Sequence, residues 1–145
     1  MSDEDQVEND YTIEISTVQT HAIKMLFEAL KEYLLEANLE CIPYDPEDEE
    51  SYKNAGIKIL AVNNKEGMLI HLKLHHYNFE TFKCTCKQVL GINMQDLFKI
   101  IKPLGNNDVL TIYRSEKKRH SLGFKIVTPD RACICTYQMP LIDTD

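Results

Sequence analysis

Two stretches with helical apolar spacing, set among short alternating runs and divided by turn residues, mark this chain as α+β. In the first, Thr20 to Leu35, good helix formers place Ile23, Leu26, Phe27, Leu30 and Leu34 on one side. In the second, Asn93 is a suitable N-cap, Met94, Leu97, Ile100 and Ile101 form the apolar stripe, and Pro103 with Gly105 to Asp108 stops the helix. The third observation is order. Strand, helix and several strands occur twice, which predicts two βαβββ-type units with both helices packed on one face of an antiparallel sheet.

Each element has its own signal. Residues 1–10 are too polar and acidic to order themselves and are expected to be a disordered tail. Tyr11 to Ile15 alternates as a strand with one buried face. Asn38 to Ile42 is a further strand, broken by residues 43–54, whose two prolines and five acids predict a long solvated loop. Gly56 to Val62 and Met68 to Leu74 are expected to pair as a hairpin, with Gly67 free to take a positive φ in its turn. Thr81 to Cys84 and Gln88 to Leu90 are short strands leading into the second helix. Val109 to Ile112, Ser121 to Val127 and the run from residue 132 to Met139 complete the strand set.

With 145 residues the chain suits one domain that needs no covalent staples. It contains no apolar run near the ~20 residues that span a bilayer, and its acidic start is unlike a signal peptide, so the expected setting is intracellular, with no membrane partner. Five cysteines (41, 84, 86, 133 and 135) are an odd number for a disulfide framework and are read as reduced thiols. The formal net charge of -7 would argue against nucleic acid, but it is uneven. Ten of the 23 acids lie in the tail and in residues 45–50, and the other 13 face 16 Lys and Arg. The body is slightly basic, which permits weak, sequence-blind phosphate contact.

Four lysines fall on the polar sides of the two helices: Lys24 and Lys31 on the first, Lys99 and Lys102 on the second. On the residues alone, each pair is an ordinary solvated helix face. The two Cys-x-Cys pairs could ligate zinc, but i and i+2 merely share a strand face, so they are read as small packed residues; no metal or other cofactor is expected. His71, His75 and His76 are read as solvated or sheet-packed. Lys117 to His120 is a solubilising turn in which phosphate contact is the alternative. Neither a phosphate-cradling glycine loop nor a positioned nucleophile and base is present, so no catalytic residue is assigned and no enzyme is expected.

An ordered set of short matches then points to one family. Val18-Gln19, Ile23-Lys24, Glu28 to Glu32, Tyr77 to Cys84, Gly91 to Asn93, Leu97 to Lys102, Gly105 to Thr111 and Tyr137 to Asp143 together resemble the N-terminal half of proliferating cell nuclear antigen, the DNA sliding clamp. The match runs in order from about Thr12 to Asp143, and divergence of this degree is similar to clamps of large DNA viruses.

The resemblance implies a clamp fold whose modules close head to tail into a ring around duplex DNA, with Lys24, Lys31, Lys99 and Lys102 on the inner wall. One further inward lysine of the family is Met25 here. It implies a processivity factor that holds DNA polymerase and other replication or repair proteins at the template, in a nuclear or viral replication compartment. Clients would dock at a lip formed by Val62, Asn63, Asn64, Lys65, Glu66, Gly67 and Leu69, where the family usually carries Asp-Ser-Ser-His-Val. The last strand, with Cys133, Ile134, Cys135 and Tyr137, would meet the next subunit, although Tyr137 fits plain strand packing equally well. Residues 11–145 would form the N-terminal clamp domain, with 43–54 an acidic insertion and the second clamp domain absent from this sequence. Either an excised half or a natural single-module clamp satisfies that pattern, and some edge-to-edge association of the unpaired strand is expected. The alternative function is a protein-interaction domain of clamp-like fold with no DNA role.

Overall fold

The computed structural model describes residues 10–131 and 133–142. The expected tail lies outside the described residues except Asp10, which is tied down: its carbonyl accepts the Glu116 N–H at 2.9 Å, and its carboxylate lies 3.4 Å from Lys117 Nζ.

Among the described residues, nine strands and three α-helices follow in the order β1 (Tyr11–Thr17), α1 (Thr20–Lys31), β2 (Glu36–Ile42), α2 (Glu49–Asn54), β3 (Gly56–Asn63), β4 (Met68–His75), β5 (Thr81–Cys84), β6 (Gln88–Asn93), α3 (Met94–Ile101), β7 (Val109–Ser115), β8 (Ser121–Thr128) and β9 (Cys133–Pro140). The twofold βαβββ pattern is present: β1-α1-β2-β3-β4 is one unit and β6-α3-β7-β8-β9 the other. The strands do not form the single sheet expected from the pattern. They divide into a five-stranded sheet, β5-β1-β7-β8-β9, and a four-stranded sheet, β4-β3-β2-β6, with every pairing antiparallel.

The division has a physical logic. Each unit lends its first strand to the other's sheet: β1 pairs β7, and β6 pairs β2. A helix separates that strand from the rest of its unit, so the chain crosses the core before pairing resumes. Alternation within a strand tells which face is buried but not which neighbour it joins.

Both sheets and both long helices supply one continuous core. Ile13, Ile15, Leu110 and Phe124 come from the five-stranded sheet, Ile57, Ile59 and Ile92 from the other, and Phe27, Leu97 and Ile101 from the helices. The interior includes a void of about 30 Å³ lined by Ile13, Phe27, Ile59, Leu97 and Phe124, room for about one water molecule.

Residues 43–54 are not wholly loop, as the composition suggested. Asp48 accepts the Glu50 N–H at 3.1 Å, and Glu49 and Glu50 occupy the first turn, where carboxylates suit the helix dipole, so α2 forms within the acidic run. Gly56 then starts β3 at φ +143°, its Cα close against the Leu74 carbonyl, a position any side chain would strain.

Candidate nucleic-acid interface

Helix α1 has no side-chain cap from Gln19. Helix α3 is capped twice by Asn93, whose Oδ1 accepts the Gln95 and Asp96 N–H groups at 3.1 Å each. The helices lie side by side and antiparallel. At one end Thr20 donates its hydroxyl to the Gly105 carbonyl at 2.7 Å, and further along α1 Lys31 Nζ sits 4.6 Å from the centroid of Phe98. The loop after α3 is closed by Asp108, which accepts from Gly105 N at 2.7 Å and from Thr128 Oγ1 at 2.8 Å. Those bonds hold the Gly105 carbonyl where Thr20 needs it.

The structure brings the four lysines onto this helix pair but does not treat them alike. Lys24 is half-buried and donates to the Leu104 carbonyl at 3.1 Å, leaning across the seam between the helices. Lys31 is also half-buried, over the Phe98 ring and 3.5 Å from Glu32. Lys99 and Lys102 are exposed, and their ammonium groups make no hydrogen bond or ion pair among the described residues. A helix advances about 100° per residue, so Lys24 and Lys31 stand only ~20° apart on the flank of α1 that faces α3. The outermost line of α1 instead carries Met25, which is 57 % exposed. Phe98, the seat under Lys31, lies one residue off the apolar stripe of α3, and that place is the signal the sequence offers for it.

The proposed client lip is a hairpin turn. Val62 pairs Leu69 and Asn63 pairs Met68, leaving residues 64–67 as the turn, with Gly67 at φ +62° as expected. Asn63 braces it, its Oδ1 accepting the Glu66 N–H at 3.2 Å and its Nδ2 donating to the Tyr33 carbonyl at 2.7 Å. Lys65 and Glu66 are exposed at the tip. Val62 and Leu69 are 61 % and 67 % exposed and make an apolar shelf with Leu60 beside them.

Strand β9 pairs only β8 and is an edge of its sheet, the counterpart of β4 at the edge of the other. Ile134 and Tyr137 are exposed on it. Cys133 and Cys135 place their Sγ atoms 3.7 Å apart, and the Cys133 thiol pushes the Cys135 pKa up. Cys84 lies on β5, at the opposite edge of the same sheet. Four interstrand steps of about 4.8 Å separate the two Cys-x-Cys pairs by roughly 19 Å, so they cannot share one metal. Cys84 is held instead beside Cys41, whose thiol hydrogen bond lowers the Cys84 pKa while that same bond and burial raise that of Cys41. Among the described residues no group of three or more His, Cys, Asp or Glu could hold a metal ion.

The turn Glu116 to His120 is exposed, Lys117 facing Asp10 and Arg119 lying 3.9 Å from Glu116. Arg114 beneath it is spent internally. Its guanidinium donates to the Arg119 carbonyl at 3.0 and 2.7 Å and to Gln88 Oε1 at 2.8 Å, and burial lowers its pKa.

Two βαβββ units exchanging their first strands, with a helix pair against the shared core, define an α+β domain of the DNA-clamp class. Residues 12–145 match the family described as proliferating cell nuclear antigen, N-terminal domain, and the chain belongs to that family. Among its relatives, a protein named probable DNA polymerase sliding clamp 1 from Paramecium bursaria Chlorella virus 1 is 30% identical over 131 residues, 90% of this chain and 46% of that protein. Proliferating cell nuclear antigen of Dictyostelium discoideum is 28% identical over 130 residues, again 90% of this chain and 46% of the relative. The chain thus spans about half the length of the curated relatives it matches. No helix among the described residues is long and apolar enough to cross a membrane.

Proposed function

We propose that this chain is the DNA-facing N-terminal domain of a sliding clamp, a DNA polymerase processivity factor that encircles duplex DNA without reading its sequence. The observation that carries this reading is the antiparallel helix pair bearing Lys24, Lys31, Lys99 and Lys102 on one family-defining scaffold. A few flexible ammonium groups touching phosphates give a weak, salt-sensitive contact that does not register base identity. Encirclement then supplies residence, and the weak contact lets the ring move. Catalysis has no part in this role, and the setting is wherever the template is replicated, nuclear or viral.

Around the ring, β9 with Ile134 and Tyr137 would add to the sheet edge of the next module, since an exposed edge carries unsatisfied N–H and C=O groups. Client polymerases and repair proteins would seat an apolar anchor on Val62 and Leu69, beside the braced turn from Asn63 to Gly67. In the assembled protein, changing all four lysines to Ala should abolish DNA binding and polymerase stimulation while leaving the circular dichroism spectrum unchanged. Unaltered DNA binding would remove the proposal.

One observation favours the second reading, a protein-interaction domain of the same fold with no DNA role. Lys24 and Lys31 already have partners inside the chain, and Met25 occupies the outermost line of α1. On that reading the quadruple variant changes nothing except stability.

A further inference from the structure

The acidic insertion is clamped to the body by a stack of rings. Tyr44, just past β2, stacks on His76 with centroids 4.2 Å apart, and Tyr52 of α2 stacks on Tyr77 at 5.2 Å. His75 lies parallel to Tyr77 on the other side at 4.9 Å, and Tyr52 meets His76 edge-on at 5.1 Å. His76 Nε2 lies 3.1 Å from the Tyr52 carbonyl, and the His76 N–H donates to the Ala55 carbonyl at 3.0 Å. The stack is not a sealed core: Tyr44 is 39 % exposed, and Tyr52 and Tyr77 are 50 % exposed each. Beside these rings, residues 45–50 hold five carboxylates, and Lys53 is the one cation among residues 43–54. None of the five is in a salt bridge among the described residues.

Half-exposed stacked rings suit two kinds of partner. Bases of a single strand stack on such platforms, and cations sit over ring faces, where the π quadrupole is negative. The charge decides between them. Five carboxylates with no salt bridge among the described residues repel a phosphate backbone and attract ammonium or guanidinium groups. Pre-stacked rings also lose little side-chain freedom when covered.

We propose that this surface, the aromatic stack with the acidic run beside it, docks a Lys- and Arg-rich segment of a partner protein. The site lies at the β2–β3 and β4–β5 connections, apart from the helix pair, and it stands whether or not the helices bind DNA. Its cations would rest over Tyr44 and Tyr52, since both faces of Tyr77 are already covered by Tyr52 and His75, while the carboxylates pair with them in turn.

The test is fluorescence anisotropy of the full chain with a labelled ten-residue Arg/Lys peptide, run against the same peptide with its lysines acetylated and arginines replaced by citrulline, and against a labelled ten-nucleotide single strand. The charged peptide should bind at low salt and the neutralised peptide should not, and any oligonucleotide binding should be unaffected by removing the rings. Tyr44→Leu with Tyr52→Leu, which keep apolar bulk and total charge, should weaken binding about tenfold, the worth of two cation–π contacts. Glu47→Gln, Glu49→Gln and Glu50→Gln together, which leave the rings in place, should weaken it at least as much. Changing the four helix lysines should leave it unchanged. Equal binding by the Tyr→Leu chain would show attraction to net charge alone and overturn the site, as would binding of the neutralised peptide, loss of oligonucleotide binding on removing the rings, or no binding of the charged peptide.

Discussion

Helices α1 and α3 occupy equivalent places in the two repeated units, yet their lysines are in different states. On α1, Lys24 and Lys31 turn into the seam and are bonded to the Leu104 carbonyl and seated over Phe98. On α3, Lys99 and Lys102 stand free at the surface. The same residue type on the polar side of each helix is thus structural mortar on one rod and available charge on the other. The ends differ in the opposite sense, for α3 is doubly capped by Asn93 and α1 has no side-chain cap. Shared residue type on equivalent helices therefore does not imply shared use, and the two helices can be separated by experiment.

The largest effect should come from what both helices have in common, their anchors in the core. Phe27→Ala on α1 should cost about 3–5 kcal/mol and Ile101→Ala on α3 about 2–5 kcal/mol, read from chemical denaturation. A marked inequality would mean that one helix is only loosely held. Next come the lysine pairs, measured as DNA affinity of the assembled protein against salt. Lys99→Ala with Lys102→Ala should reduce the log–log salt slope by about two per domain, roughly 0.9 per lost phosphate contact, with melting unchanged. Lys24→Ala with Lys31→Ala should reduce it less and instead destabilise the chain by about 1–2 kcal/mol, through a lost charged hydrogen bond and a lost cation–π contact. Equal slopes for the two pairs would erase the distinction.

Smaller changes test the ends. Asn93→Ala should cost about 1 kcal/mol. Gln19→Asp should add up to ~1 kcal/mol by supplying α1 with the cap it lacks. A gain in melting temperature is the readout, and no gain would mean that the Thr17 hydroxyl, which accepts the Gln19 N–H at 3.0 Å, already settles this turn.

Much of the fold was legible because it rests on short-range periodicity. The apolar positions of both helices, the Asn93 cap, the hairpin at Gly67 and the repeated order all follow from local patterns. The division into two sheets was not legible, since it depends on β1 finding β7 and β6 finding β2, strands far apart in sequence. Nor was α2, because Pro43 and Pro46 hid a helix that starts only at Glu49, after an Asp48 cap. For the site, residue type and spacing put four lysines on the helices, and the fold keeps them there. What spacing could not reveal is where a flexible four-carbon stem comes to rest. That depends on Phe98 and Leu104, which approach α1 only once the second unit has packed beside the first.

The opposed orientation of α1 and α3 has one more consequence. The hydroxyl of Thr20, at the electropositive beginning of α1, meets the Gly105 carbonyl just beyond the electronegative finish of α3. The two backbone fields therefore partly cancel at a distance, and the N–H groups of Gln95 and Asp96 that open α3 are already taken by Asn93. A charged thread passing across their flanks would meet no deep electrostatic well along its path, a smooth bearing surface rather than a ratchet.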